Sequence, residues 1–177
     1  FGSSKSLERK PYPPGVHGQK RRRKATDYAL ALAEKQKMRY YYGLMEKQFR
    51  GIYEKAIRRR GVTGEIMLQI LETRLDSVVY SLGFGYTRAQ ARQMVTHGHV
   101  LVNGKRARTP SIAMNEGDKV EIKHTEKSRH LADKNLEYST SRTVPEWLEV
   151  DKAAYTGSVK RKPTREDIEP VANEQTI

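Results

Sequence analysis

Residues 74–104, RLDSVVYSLGFGYTRAQARQMVTHGHVLVNG, decide the fold of this chain, because helix, turn and strand signals follow one another there without spare residues. The first signal is an apolar helix stripe that starts upstream and recurs at spacings of three and four. Its members are Met67, Ile70, Leu71, Leu75, Val78, Val79 and Leu82. Gly83 and Gly85 come next and are expected to end the helix, since glycine readily adopts the left-handed conformation of a C-terminal cap.

A second helix is predicted directly after this turn. Thr87 and Gln90 have the spacing of a capping box, so the helix should begin at Arg88 and stop at Gly98. Arg88 and Arg92 are one turn apart and are expected to share the face opposite the apolar one. Two arginines on one helix face usually belong to a solvated surface, and taken alone this pair favours that interpretation.

The strand pair that follows adds a second cationic cluster. Residues 99–102 are strongly β-forming, and Asn103-Gly104 is typical of a tight hairpin turn. Lys105, Arg106 and Arg108 place positive charge on the returning strand. A short helix, a turn and a ribbon would bring both clusters to one rim, a geometry suited to a phosphate backbone. The stretch therefore predicts a surface that holds nucleic acid.

The charge balance of the whole chain supports a polyanionic partner. Lys and Arg number 34 against 21 Asp and Glu, which gives 177 residues a formal net charge of +13. Solubility does not require so uneven a balance, whereas phosphate binding is strengthened by it. A generic basic protein would scatter its cations, but here they form blocks at 20–24, 58–60, 105–108 and 160–162.

The central stretch resembles the RNA-binding module named after ribosomal protein S-four, which also occurs in pseudouridine synthases and some tRNA synthetases. The matching residues are Arg74-Leu75-Asp76, Gly83, Thr87-Arg88, Ala91-Arg92, Gly98-His99-Val100 and Val102-Asn103-Gly104-Lys105. Motifs outside the module resemble the bacterial ribosomal protein S-four family and keep its order, so that the resemblance covers nearly the whole chain. They are residues 11–15 with His17-Gly18, 34–37, Tyr42-Gly43, 46–50, 147–151 and 161–163.

This resemblance implies a structural protein of the small ribosomal subunit. Such a protein binds the five-prime domain of the small-subunit rRNA early, nucleates assembly, and helps to form the mRNA entry channel with ribosomal proteins S-three and S-five, where it influences decoding accuracy. The implied location is the cytoplasm of a bacterium, or an organelle if a targeting segment has been lost. The acidic residues of the tail, Glu166, Asp167, Glu169 and Glu174, suit a protein neighbour better than RNA.

We predict an α+β fold with three parts. Residues 1–25 are expected to form an extended basic arm, because the prolines at 11, 13 and 14 disfavour helix. Residues 26–72 with 164–177 should form a helical domain, in which Thr164 and Asp167 start a final short helix. Residues 73–163 should form an inserted RNA-binding domain of helices on a small, mostly antiparallel sheet, with the module at about 74–138 and Trp147 as a core anchor.

The residues predicted to contact RNA come from the cation blocks, the capped helix and the hairpin. They are Lys20, Arg21, Arg22, Arg23, Lys24, Arg58, Arg59, Arg60, Arg74, Thr87, Arg88, Arg92, His97, His99, Asn103, Lys105 and Arg106. For the two histidines, hydrogen bonds to phosphate or ribose are the favoured functional interpretation, and simple exposure to solvent fits nearly as well. Three adjacent tyrosines at 40–42 favour packing over base stacking.

The sequence has no pattern of an enzyme, a metal site or a cofactor site. It has no cysteine, which rules out disulfides and thiolate zinc sites, and Lys5 and Ser6 stand where a zinc-binding cysteine of some relatives would fall. Five scattered histidines form no HExxH-like motif, and no phosphate-binding glycine loop precedes a Lys-Ser or Lys-Thr pair. Two alternatives remain: an RNA-modifying enzyme that carries the same module, and a heat-shock-type factor that binds large subunits.

Overall fold

The computed structural model describes residues 8–12, 15–19, 25–139 and 142–170. Its elements between residues 25 and 170 confirm the predicted α+β class. They are α1 (Asp27–Tyr41), α2 (Glu46–Ile57), α3 (Thr63–Glu72), α4 (Leu75–Ser81), α5 (Arg88–Thr96), β1 (Val100–Val102), β2 (Lys105–Ala107), β3 (Lys119–Ile122), α6 (Glu126–Tyr138), β4 (Leu148–Asp151) and β5 (Thr156–Val159).

The single helix predicted across residues 67–82 is wrong, because the chain breaks into α3 and α4 at Thr73 and Arg74. The Thr73 hydroxyl donates to the Gln69 carbonyl at 2.7 Å and closes α3. Arg74 is extended, with φ −66° and ψ 142°, and forms an antiparallel bridge with Ala113. Periodicity could not reveal this break, since it depends on a backbone segment about 40 residues away.

The break divides the apolar stripe between two hydrophobic cores. The helical core contains Met38, Tyr42, Leu44, Phe49, Ile52, Ala56, Ile66, Met67, Leu68, Leu71 and Ile168. The sheet core begins at Leu75 and ends at Val159, and it includes Trp147, only 1% exposed, as predicted for a core anchor. These cores support the proposed division into 26–72 with the C-terminal segment and 73–163, which stays a prediction at its boundaries.

The sheet is antiparallel throughout, with the strand order β2-β1-β3-β5-β4. Asn103 and Gly104 both have positive φ, 50° and 76°, as a two-residue turn between the strands of a hairpin requires. The predicted hairpin is therefore confirmed. It projects from one edge of the sheet, directly after α5.

The start of α5 is built as its sequence predicts. The Thr87 hydroxyl accepts from the Gln90 amide at 3.1 Å, and the Gln90 side chain accepts from the Tyr86 amide at 2.9 Å. Gly83 has φ +85° and ends α4, but Gly85 has another role. A Cβ at Gly85 would lie 2.7 Å from the Cβ of Ala91, so this glycine lets the turn pack against α5.

The predicted C-terminal helix at Thr164 is wrong, since residues 164–170 form only turns. Asp167 accepts hydrogen bonds from the Thr164 amide and hydroxyl, as at a helix start, and also pairs with Arg161. Pro170 disfavours helical backbone at the residue before it, so no helix can extend from this cap. The turn instead brings Ile168 into the helical core.

Parts of the proposed arm are not extended. Residues 8–9 are helical, and the Gly18 amide donates to the Gly15 carbonyl at 3.1 Å in a turn. The predicted contacts of Lys20, Arg21, Arg22, Arg23 and Lys24 lie outside the described residues.

Candidate nucleic-acid interface

A groove of about 750 Å³ lies where the helical core meets α4 and α5. Its walls come from the end of α1, from α4, from the start of α5 and from two residues further along the chain. The lining residues are Lys37, Tyr40, Tyr41, Tyr42, Gly43, Asp76, Ser77, Tyr80, Tyr86, Thr87, Arg88, Ala89, Arg92, Arg142 and Glu169. The groove therefore combines aromatic rings with charged groups of both signs.

Arg74 does not reach a surface, contrary to its predicted role. It is 7% exposed, and its Nε and Nη2 donate to the Asp76 carboxylate at 3.0 and 2.7 Å. Asp76 is 6% exposed and lies in the first turn of α4, where the helix dipole also favours a negative charge. Arg74 thus neutralises a buried carboxylate at the junction of the two cores.

Arg88 was expected on the solvated face of α5, and this is wrong, because its side chain is only 15% exposed at the floor of the groove. Its Nη2 donates to Glu72 Oε1 and its Nη1 to Ser77 Oγ, each at 3.1 Å. At the start of α5 the Arg88 side chain turns toward Glu72 at the end of α3 and away from solvent. The spacing of apolar residues identifies the apolar face of a helix, but it does not show whether a second domain covers the polar face.

Electrostatics around Arg88 match this internal role. Burial acts to lower the pKa of Arg88, but the Glu72 carboxylate and then the Tyr42 and Tyr41 hydroxyls raise it above the usual arginine value. Burial, followed by the Glu72 carboxylate, also raises the pKa of Tyr42 well above its usual value. The Tyr42 hydroxyl therefore stays protonated and donates a hydrogen bond to Glu72 Oε1 at 2.6 Å.

Arg92 is the predicted helix arginine that remains accessible. Its Nη1 donates to Asp76 Oδ2 at 3.2 Å, yet the side chain is 37% exposed along the groove. Nearby rings at the groove are also exposed, 64% for Tyr40 and 50% for Tyr86. The expectation of packing for residues 40–42 thus fits the buried Tyr42 but not Tyr40.

Arg142 is a groove residue that the sequence did not predict. Its guanidinium lies 3.9 Å from the centre of the Tyr80 ring and donates to the carbonyls of Tyr80 and Tyr86 at 3.1 and 2.9 Å. It closes the C-terminal end of α4, where carbonyls lack helical partners. Since it lies in an irregular segment between α6 and β4, no periodic signal marks it.

The hairpin cations form a separate group at the other end of α5. Lys105 and Arg106 are exposed, and Arg106 Nη2 donates to the His97 carbonyl at 3.3 Å. His97 and His99 have ring centres 6.3 Å apart, and His99 Nδ1 lies 2.9 Å from Ser128 Oγ. Burial, with the charges of His97 and Arg106, lowers the pKa of His99, so its ring favours the neutral form at neutral pH. We call His97, His99, Lys105 and Arg106 the hairpin cluster.

Two further predicted contact residues use their side chains within the fold. Asn103 donates from Nδ2 to Asp118 at 2.8 Å and accepts from the Lys119 amide at 2.9 Å. Thr87 Oγ1 caps α5, although the residue is exposed at the groove. The match of Asn103 and Thr87 to the RNA-binding module is therefore explained by their roles in the fold: Asn103 stabilises the hairpin turn, and Thr87 caps α5.

The expected single rim is divided into two surfaces. Arg92 belongs to the groove, whose lining among the described residues includes none of residues 97–108. A third surface is the run Arg58, Arg59 and Arg60 after α2, where all three are exposed and none has a salt bridge to a described residue.

Comparison with known proteins places this architecture in a family. Residues 2–72 match the Ribosomal protein S4/S9 N-terminal domain, and residues 73–120 match the S4 domain. The chain is 49% identical to small ribosomal subunit protein uS4 of Akkermansia muciniphila, covering 100% of this chain and 88% of the relative. The uS4 protein of Opitutus terrae is 52% identical, with coverages of 100% and 87%, and that of Thermus thermophilus is 47% identical, with 97% and 82%. The chain belongs to the uS4 family.

Membership of the uS4 family confirms the resemblance found in the sequence and makes the chain a structural protein of the small ribosomal subunit, a class that is not an enzyme family. The boundary between the two matched models falls at Thr73, where α3 and α4 separate. The S4 domain contains α4 and α5, whose residues line one side of the groove, and it also contains the hairpin cluster. Binding to small-subunit rRNA is consistent with that domain.

The described residues contain no group of three or more His, Cys, Asp or Glu side chains arranged to hold a metal ion. In the same part of the chain, every helix is too short or too polar to cross a membrane.

Proposed function

We propose that this uS4 chain binds small-subunit rRNA directly through three surfaces: the groove at Arg92, the hairpin cluster, and the run at residues 58–60. The observation that carries the proposal is the placement of an accessible arginine of the S4 domain beside exposed tyrosine rings that line the same groove. Arg92 is 37% exposed, and the Tyr40 and Tyr86 rings face the same groove. A net charge of +13 supports a partner rich in phosphate.

The mechanism is electrostatic positioning with recognition of RNA shape. Lysines and arginines of the three surfaces contact phosphates, which orients the protein without reading the sequence. The exposed Tyr40 and Tyr86 rings offer stacking surfaces to an unpaired base at the groove, since any base can stack on an aromatic ring. His97 and His99 add hydrogen bonds to ribose or phosphate. No step involves catalysis or a cofactor.

The resemblance extends the proposal to a role in assembly and decoding. The chain binds early to the five-prime domain of the rRNA in the cytoplasm, and nucleates folding of a junction of RNA helices. In the mature subunit it lies at the mRNA entry channel beside ribosomal proteins S-three and S-five. Exposed Glu166 and Glu169 near the C-terminal turn give a protein neighbour an acidic contact.

A salt titration tests the RNA-binding proposal. The purified chain is mixed with five-prime-domain rRNA, and the affinity is measured at several salt concentrations. If about six phosphates are neutralised, the slope of log affinity against log salt concentration (the salt slope) should be roughly −4 to −5, near the coefficient for single-stranded nucleic acid. An affinity that does not change with salt would contradict the proposal.

Two measurements separate the alternatives. Co-sedimentation with small subunits supports the proposal, whereas co-sedimentation with large subunits favours a heat-shock-type factor. New modified bases in rRNA after incubation with the pure protein would favour an RNA-modifying enzyme.

A further inference from the structure

The side chain of Arg88 lies between the two hydrophobic cores. Glu72, the last residue of α3, and Tyr42 belong to the helical side, and Arg88 is the first residue of α5 on the sheet side. Arg88 Nη2 and the Tyr42 hydroxyl donate to the same oxygen of Glu72, at 3.1 and 2.6 Å. One carboxylate oxygen thus joins a residue from each side.

Aromatic rings from both sides cover the Arg88 guanidinium. Its central carbon is 4.4 Å from the centre of the Tyr41 ring, 4.6 Å from that of Tyr42 and 4.6 Å from that of Tyr80. Tyr41 and Tyr42 end α1, whereas Tyr80 lies on α4. A guanidinium between such rings is attracted to both, and its planar shape fixes their spacing.

Other contacts between the two sides are few among the described elements. Of the helices that build the helical core, only α3 packs closely on an element of the sheet core, the adjacent α4. The connection between these two helices is the extended backbone at Arg74. A side chain that bridges the cores can therefore set their relative orientation.

We infer that Arg88 is a positioning residue that holds the two cores at the angle at which the groove fits RNA, and that it does not itself contact phosphate. Its charge is engaged by Glu72, and the two side chains are only 15% and 10% exposed. This inference rests on the proposed RNA binding. It assigns the Glu72–Arg88–Tyr42 network a role in preorganising the groove.

Variants of the two charged partners give opposite expectations for a positioning role and for a phosphate contact. If Arg88 positions the cores, Glu72→Gln and Arg88→Gln both lower the affinity for five-prime-domain rRNA, by about tenfold or more. Neither changes the salt slope, because the bound complex still neutralises the same phosphates. If Arg88 contacts phosphate, Glu72→Gln frees its charge and raises the affinity, and this result overturns the inference.

Arg92→Gln is the matched control, since Arg92 lies one turn further along α5 and is accessible. It should reduce the steepness of the salt slope by about 0.7–0.9, as expected for one lost phosphate contact. The same decrease in Arg88→Gln would overturn the positioning role.

A distance measurement tests the orientation without RNA. Because the chain has no cysteine, Lys47→Cys on α2 and Lys152→Cys after β4 accept two spin labels without competition. Both positions are exposed. The labelled parent and the labelled Arg92→Gln variant should give narrow distance distributions. The labelled Arg88→Gln and Glu72→Gln variants should give broad ones. An equally narrow distribution in Arg88→Gln would overturn the inference.

If the charge variants do not fold, Tyr42→Phe tests the same network more mildly, because it removes only the hydroxyl that donates to Glu72. It should broaden the distribution, and an unchanged distribution together with unchanged RNA affinity would count against the inference. Failure of the parent to bind RNA in a salt-dependent way would instead refute the proposed function. The distance measurement would still decide the role of Arg88.

Discussion

Two groups of arginines that were both predicted to contact RNA have opposite environments in this uS4 protein. Arg74 and Arg88, at the junction of the two cores, are buried in ion pairs with Asp76 and Glu72. The arginines at 58–60, after α2, are exposed and form no salt bridge to any described residue. An arginine of this protein is therefore available to phosphate where its side chain stays exposed, and not where it is buried against an internal carboxylate.

The difference follows from where the acidic residues lie. Asp76 and Glu72 flank Arg74 in the chain, and both are buried, so each requires a nearby positive charge. Near the end of α2, Glu54 already pairs with Arg50 one turn away. The arginine run that follows keeps its charge free for a partner.

The largest expected effect is the loss of stability in Arg74→Ala. Removing Arg74 leaves the buried Asp76 carboxylate with the partly exposed Arg92, at 3.2 Å, as its remaining ion-pair partner, which should lower the free energy of unfolding by about 3 kcal/mol, the lower end for a broken buried pair. Urea unfolding measures this value. The exposed control Arg60→Ala should change it by less than about 0.5 kcal/mol. Equal effects of the two variants would remove the distinction between the groups.

A smaller effect, on RNA binding alone, is expected when Arg58, Arg59 and Arg60 are all changed to Gln. Loss of about three phosphate contacts should reduce the steepness of the salt slope by about 2–3. The free energy of unfolding should stay within about 0.5 kcal/mol of the parent, because the side chains are exposed. Unchanged RNA affinity would show that exposure alone does not identify the interface.

Asn103→Ala tests whether a module residue with internal hydrogen bonds acts through the fold. It removes the bonds to Asp118 and Lys119 and places alanine at φ 50°, which should cost about 1–2 kcal/mol of unfolding free energy. Asn103→Gly is the control, since glycine adopts this φ without strain and loses only the hydrogen bonds. RNA affinity at a temperature where both variants are folded should equal that of the parent. A loss of affinity in the folded Asn103→Gly variant would restore Asn103 to the interface.

The smallest effect concerns the pH dependence of the Arg161–Asp167 pair. Hydrogen bonds from Arg161, and then from Thr164, hold the pKa of Asp167 far below its usual value against the opposing effect of burial. The contribution of the ionised Asp167 carboxylate to the free energy of unfolding is therefore complete above the pKa of about 4 that it has in the unfolded chain. This contribution is lost as the pH falls toward the lower pKa of the folded state. Because the Arg161 side chain is 42% exposed and solvent screens the pair, Asp167→Asn should lower the unfolding free energy by only about 0.5–1 kcal/mol at pH 7 and by progressively less below pH of about 4. A difference from the parent that grows on acidification would contradict this assignment.

Local signals predicted much of the module correctly. The cap at Thr87, the stop at Gly98 and the turn at Asn103-Gly104 each depend on the conformations open to a few adjacent residues, and all three are present. The predicted helix at Thr164 failed despite its cap, because Pro170 leaves no length for the helix to extend. Local chemistry is reliable where nothing further along the chain competes with it.

The candidate interface was predicted less completely than the fold. Lys105 and Arg106 are exposed as expected, and Arg92 remains accessible, but Arg142 was missed. Arg142 reaches the groove from a segment more than 50 residues after the carbonyls it binds. Sequence spacing contains no information about such an approach.

The order of residues alone was enough to establish the α+β class, the capped helix and hairpin, and the basic character, because these depend on neighbouring residues and on composition. The family was recognised by the resemblance of ordered motifs. Whether a given arginine meets solvent or a carboxylate depended on folding. Glu72 is buried by the helical core with Tyr42, which is 30 residues away in the chain, and the break at Arg74 is held by Ala113. Burial is a property of residues brought together from distant positions, so no local pattern could distinguish Arg88, whose charge is paired inside the fold, from Arg92, whose side chain stays accessible.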